Sequence, residues 1–447
     1  MAHLADLDLR TFFSLSPDRA LHARVVRHLL SDCDECRRRA AEVAHELGLD
    51  TFLETEITEA ETFLQAFPEI FRLSGLIEEE VRRAKVSFAR LAPLSPGERL
   101  SALRKHGRYK KYGFALQVLD EADALVLKRS FKRAKELIHF SMAVADLLRI
   151  KVYGEGPIGD LRLRQHTTLA NVRRVEEDFT GALESLGKAE DLRHLGIDPL
   201  EEARFLRVEA AFLYDLGEFE RAAEASEERA ELCRLVGDAH TQAKALIQES
   251  MILAQYDPET GLRKADEGLS LLNPVYSYPL VCGIFNRAFC LVQLHRAEEA
   301  ASYLISHKEI IRKVIDPRRE IHFLWLDAKI MRERKRYRDA EELLSYVALR
   351  FSETGMNQEM LLVHIDRIEL RLDTGHWKSA LNLARHLTPD LTKLGLRYDL
   401  LSMWATLQDA LSSRQAVLDE VRDFFRRHWK IRKGSLSKTH LLLGDTN

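Results

Sequence analysis

Apolar residues recur every three or four positions along most of this chain, and alternating strand-like runs are scarce. Between Glu201 and Gly217, the residues Ala203, Leu206, Ala210, Leu213 and Leu216 fall on one helical face. Gly217 stops that helix and Glu218-Phe219 opens the next, whose apolar face runs through Ala222, Ala225, Ala230, Leu232 and Leu235 to Gly237. The spacing predicts a helical hairpin, and the hairpin repeats. Its turn signature is an aromatic followed three positions later by a small residue, at Phe179/Ala182, Phe219/Ala222, Tyr337/Ala340 and Trp377/Ala380. Weaker copies stand at Pro258/Gly261 and Ala297/Ala300. The lead positions step by about 40 residues, within the range that marks a solenoid or array.

The small residues have a physical job, because two antiparallel helices approach closely only where the crossing side chains are small. Twelve residues before the turn Ala, the first helix carries Ala170, Ala210, Ala288 or Ala328, whereas Glu249 and Ile368 break the rule. An earlier unit is expected at Phe131/Ala134, preceded by a helix from Tyr112 to Lys128, with Gly154 to Gly159 as a loop that lengthens the next step. This pattern resembles the tetratricopeptide repeat, from about Leu161 to His386, with units longer than the usual ~34 residues. The resemblance implies an all-α, right-handed α-solenoid of helical hairpins, of a kind found in bacterial regulatory and signalling proteins.

The N-terminal part reads differently. A helix over Arg19–Leu30 follows Ser16-Pro17-Asp18, and further helices are expected through Leu47, over Phe52–Ala66 and over Glu69–Ala89. The organisation expected is a small helical head at 1–50, a connector at 51–96 with a linker at Pro93–Gly97, the solenoid at 97–395, capping helices at 396–432 and a polar tail at 433–447.

The head holds the one motif with chemistry in it. His28, Cys33 and Cys36 form H-x4-C-x2-C at a helix–turn–helix junction, and Cys-x2-Cys lets two thiolates bind one tetrahedral ion from a single turn. His3, His22 and His45 are candidates for a fourth zinc ligand, with His3 preferred. The alternatives are a redox pair and ordinary helix cysteines. The segment Val25–Leu30 followed by Cys33 and Cys36 resembles the zinc-binding anti-sigma module, with one residue more before the first Cys than that module commonly shows. The resemblance implies a sigma factor or other regulatory partner. Cys233, Cys282 and Cys290 lie in repeat helices and are expected as core residues.

Charge and composition narrow the function. Five cysteines in 447 residues do not read as a disulfide framework, so a reducing, cytoplasmic setting is expected. No run approaches the ~20 apolar residues that span a bilayer. Net charge is −3, which gives no general reason to expect nucleic acid. Basic clusters at Arg104–Lys111, Lys128–Arg133, Arg332–Arg338 and Arg426–Lys433 are read first as solvated faces pairing with Asp and Glu. Tyr109 and Tyr112 interleave with the first cluster and would suit base stacking if the strip 104–133 met nucleic acid. Nucleotide-phosphate, metalloprotease and nucleophile-elbow motifs are absent, so no enzyme is expected.

Projecting the repeat puts Asn171, Arg174, Arg207, Tyr214, Trp325 and Lys329 on the inner face, formed by the first helix of each pair. That mix of amide, cation and aromatic suits a protein or peptide ligand. Thr167 and Val175 stand where a carboxylate clamp would need cations. The expected function is a non-enzymatic scaffold or regulatory adaptor. The alternatives are a metal-bearing regulator of a sigma factor and a nucleic-acid-associated subunit.

Overall fold

The computed structural model describes residues 3–12, 21, 25, 34–46, 59–176, 178–272 and 278–393. Among these residues every regular element is helical, and the fold is the all-α helical-repeat solenoid that the periodicity predicts. The capping helices expected at 396–432, the tail and the basic cluster at 426–433 lie outside the described residues. The helix expected over 19–30 does so except for Leu21 and Val25.

Two compact units are distinguished. One contains the residues up to Glu209 together with Glu228–Ala239; the other contains Ala210–Glu227 and the residues from His240 onwards. In the first unit, α1 (Asp6–Phe12) and α2 (Asp34–Glu46) bury Leu9, Phe12, Val25, Cys36, Ala40 and Val43 together. Ion pairs Arg39–Asp6 and Arg10–Glu46 tie the two helices across this small core.

Next comes α3 (Glu59–Leu91), one continuous helix where two were expected. Pro68 removes a single backbone donor, and no helix-stopping Gly or Asn cap follows it, so the helix runs through. Of the linker expected at 93–97, residues 93–95 lie outside the helices, and α4 (Pro96–Lys105) starts at Pro96, where Ser95 and Glu98 form a reciprocal capping box. Helix α3 packs on α5 (Tyr112–Leu127) around Glu80. This buried carboxylate accepts the Gly113 N–H at 3.1 Å and the Tyr153 hydroxyl at 2.8 Å. A Cβ at Gly113 would stand 2.5 Å from the Val81 nitrogen, so only glycine permits this approach.

The hairpins follow. The first unit holds α5 with α6 (Phe131–Ala145), a one-turn α7 (Ile150–Tyr153), then α8 (Glu155–Val175) with α9 (Phe179–Glu190). Gly154 alone is the loop residue of the 154–159 stretch, since the helix starts at Glu155. Gly156 and Gly159 serve close packing instead. Cβ atoms there would lie 2.8 Å from the Ile197 side chain and 3.0 Å from Leu195. The remaining helices are α10 (Pro199–Leu216), α11 (Phe219–Leu235), α12 (Ala239–Leu253), α13 (Pro258–Leu271), α14 (Tyr278–Gln293), α15 (Ala297–Ser306), α16 (Lys308–Val314), α17 (Pro317–Glu333), α18 (Tyr337–Glu353), α19 (Asn357–Asp373) and α20 (Trp377–Lys393).

The crossing rule holds in packing. Ala170, Ala210, Ala288 and Ala328 are fully buried, as are Ala182, Ala222, Ala300, Ala340 and Ala380. Ala122 and Ala134 add the same pair for the α5–α6 hairpin. The exception at Glu249 is matched by Gly261, the smallest turn residue, where a Cβ would meet the Ser250 carbonyl oxygen at 3.0 Å. Glu249 is buried and pairs with Lys264 at 2.9 Å.

The hairpin turn before α13 closes by the Asp257 amide on the Leu253 carbonyl, four residues earlier, at 2.7 Å, whereas in six others an amide donates to the carbonyl five residues earlier: Ser130 to Leu125 at 2.9 Å, Asp178 to Arg173 at 2.9 Å, Glu218 to Leu213 at 3.0 Å, Arg296 to Leu291 at 2.8 Å, Arg336 to Met331 at 2.9 Å and His376 to Arg371 at 2.7 Å. This closure requires a left-handed residue just before the donor. Gly217 and Gly375 supply it freely, whereas Arg129, His295 and Lys335 adopt φ of 54°, 55° and 59° at a cost.

Candidate functional site

The second unit carries a groove with a volume of about 270 Å³, built by one stripe from each successive first helix. Helical spacing of three or four brings its residues to one side: Met251 and Gln255 on α12, Phe285 and Phe289 on α14, His322, Trp325 and Lys329 on α17, Glu359, Leu362 and Asp366 on α19. Tyr214, Asp215 and Phe219 close one end. The other side of each helix is core, which holds these stripes in place. Asn286 donates to the Ile247 carbonyl at 2.6 Å and lies 3.1 Å from the Ser250 hydroxyl, fixing the rotation of α14 on α12 and so the aim of its two phenylalanines.

The floor is aromatic. The rings of Phe285 and Phe289 are stacked with centroids 6.2 Å apart, and Phe285 meets Phe323 edge-on at 5.1 Å. Trp325 and His322 both stand edge-on to the buried Phe351, at 5.8 and 5.1 Å. Asp366, 2% exposed, accepts the Trp325 indole N–H at 2.7 Å and the Lys329 ammonium at 2.5 Å. The ammonium also lies over the indole, 5.2 Å from its centroid. Burial holds the His322 imidazole below its ordinary pKa, against the pull of the Glu359 carboxylate, and so favours its neutral form.

Of the six residues projected from the sequence, Tyr214, Trp325 and Lys329 come together here. Asn171, Arg174 and Arg207 belong to the first unit. There Arg174 donates to the Asn171 amide oxygen at 3.2 and 3.3 Å. Burial, then the neighbouring Arg229, Arg204 and Arg174 guanidiniums, push the Arg207 pKa down to about 10. Phe285 and Phe289 were not anticipated, although the repeat register marks them. They stand twelve and eight residues before the lead position Ala297, as Trp325 does twelve before Tyr337. The non-aromatic lead in that unit hid the signal. Asp366 stands 41 residues after Trp325, one position off the register that places Ile365 twelve before Trp377, so projection did not mark it.

In the head, Cys36 is buried with its Sγ 3.4 Å from His3 Nδ1 and accepting the Leu4 N–H at 3.3 Å. His28 and Cys33 lie outside the described residues. No cluster of three metal-ligating side chains occurs among the described residues. Cys233 and Cys290 are core residues as expected, Cys282 is partly buried, and burial pushes the Cys290 thiol up to about 12.

The basic clusters divide. Arg332 pairs with Glu369 and Asp373, Arg334 with Glu298, Arg336 with Asp339 and Arg338 with Glu342, as expected of a solvated face. The strip 104–133 is two clusters, at opposite ends of the 16-residue helix α5, about 24 Å apart at 1.5 Å per residue. Tyr109 and Tyr112, read as stacking platforms, are instead core residues at 2% and 8% exposure. Aromatic residues at such a spacing were needed to close the α3–α5–α6 core.

No protein-family model matches the chain, and no curated protein is similar to it. Solved structures do resemble it. A Rap protein complexed with competence and sporulation factor is 15% identical, with a TM-score of 0.55, over 74% of this chain and 90% of that one. The apo form of RapI is 14% identical, with a TM-score of 0.43, over 79% of this chain and 98% of that one. The first likeness agrees with the helical-repeat fold. No helix among the described residues is long and apolar enough to cross a membrane.

Proposed function

We propose that this chain is a non-enzymatic scaffold or regulatory adaptor of the cytoplasm that binds a protein or peptide along the groove of its second unit. The observation that carries this reading is the aromatic floor of Phe285, Phe289 and Trp325 beside the buried Asp366. Aromatic anchors in a shaped depression, with a fixed polar group to orient a ligand, are what interface hot spots are made of. Support also comes from the Rap structure of similar fold, which was solved with competence and sporulation factor bound. A photo-crosslinking residue at Gln255, on the groove wall, tests the reading in cells. One adduct should form, and it should vanish when Phe285 and Phe289 are both replaced by Ala. An adduct indifferent to that change removes the groove from the function.

A second reading, a zinc-bearing head that engages a sigma factor, is favoured by the approach of His3 to Cys36. His28, Cys33, Cys36 and His3 would then hold the ion, and four N/S ligands suit structural zinc. Metal analysis of the purified protein beside a Cys33→Ser/Cys36→Ser variant decides it. One equivalent of zinc lost in the variant supports the head, and none in either excludes it. The nucleic-acid reading loses its support with the burial of Tyr109 and Tyr112.

A further inference from the structure

The groove lining has a charge order as well as an apolar floor. Asp215 stands at the α10 end. Met251, Phe285, Phe289, Leu326 and Trp325 make the apolar middle. Glu359 and Asp366 stand at the α19 end. Asp366 is spent on Lys329 and the Trp325 indole, which leaves Glu359 as the carboxylate open to a ligand at the α19 end. Lys329 is already engaged by Asp366 at 2.5 Å. Glu359 makes no hydrogen bond or ion pair with any described residue. The stripes come from five successive first helices, α10, α12, α14, α17 and α19. Packed helices lie about 10 Å apart, and an extended chain advances roughly 3.4 Å per residue, so the lining suits a segment of about ten residues.

We infer that the ligand of this groove is a short extended peptide segment with large apolar side chains at its centre and a basic group, Lys, Arg or a free α-amine, at the end that lies beside Glu359. This rests on the peptide-groove reading above and specifies its ligand. Glu359 selects the cation, and the rings of Phe285, Phe289 and Trp325 take the apolar centre. An acidic group in the cation's place would bring like charges together at Glu359, which disfavours binding.

The test is to pan a phage-displayed random dodecapeptide library on the purified full-length chain. The expected enrichment is apolar residues with Lys or Arg at one end. A synthetic peptide of the enriched sequence should bind about tenfold more weakly to Glu359→Gln, as for one removed charge contact. Panning on Glu359→Lys should shift the enrichment towards an acidic end. Two neutral or acidic ends on the unmodified protein, or equal affinity for Glu359→Gln, would overturn the charge inference while leaving a peptide groove standing. Enrichment of no sequence, or clones that bind a folded Phe285→Ala or Phe289→Ala variant equally well, would instead overturn the groove itself. Circular dichroism melts confirm that each variant is folded.

Discussion

In the first unit, the residue twelve positions before the lead aromatic Phe219 is Arg207; in the second, the equivalent residues before Ala297 and Tyr337 are Phe285 and Trp325. Eight positions before the lead, Asn171 corresponds to Phe289 and Lys329. The backbone register is shared, yet the two stripes do different things. The first draws its charges inward, with Arg164 on Asp120, Arg204 on Glu201 and Arg174 on Asn171. The second keeps one buried carboxylate, Asp366, and leaves rings lining a groove. A repeat fixes where a side chain stands and leaves its chemistry to be chosen unit by unit.

Substitutions sharpen this contrast. The largest effect is expected from Asp366→Ala, which removes the shared acceptor of the Lys329 ammonium and the Trp325 indole N–H. The loss should be about 3 kcal/mol in urea unfolding, as for a broken buried pair. Lys329→Met should cost less, about 2 kcal/mol, because the Asp366 carboxylate keeps its indole donor. The matching change in the first unit, Arg207→Met, should cost less, no more than about 1 kcal/mol, since Arg207 stands desolvated beside the Arg229, Arg204 and Arg174 cations. A loss as large as that of Lys329→Met would erase the distinction between the units. The smallest effect is at a turn. Lys335→Gly relieves a left-handed backbone and should stabilise by about 0.5–1 kcal/mol. Gly375→Ala should do the reverse, and thermal melts measure both.

Much of the architecture was legible because crossing alanines and turn aromatics are local and periodic. Ala170, Ala210, Ala288 and Ala328 could be placed from spacing alone, and all are buried. The groove was half legible: Trp325, Lys329 and Tyr214 were projected, while Phe285, Phe289 and Asp366 were missed because Ala297 gives a faint lead and Asp366 acts across helices. Long-range clasps such as Glu80 with Tyr153, 73 residues apart, leave no periodic trace. Nor do left-handed turns at Arg129, His295 and Lys335, where the sequence lacks the glycine that would announce them.

The missing side chain at Gly113 has a mechanical meaning for α3, whose 33 residues make a rod about 50 Å long. With Val81 seated against that glycine and Glu80 latched to Gly113 and Tyr153, the rod is keyed to α5 at this point, and sliding it by a turn would break both bonds. A load on α3 would therefore enter the first hairpin through this contact.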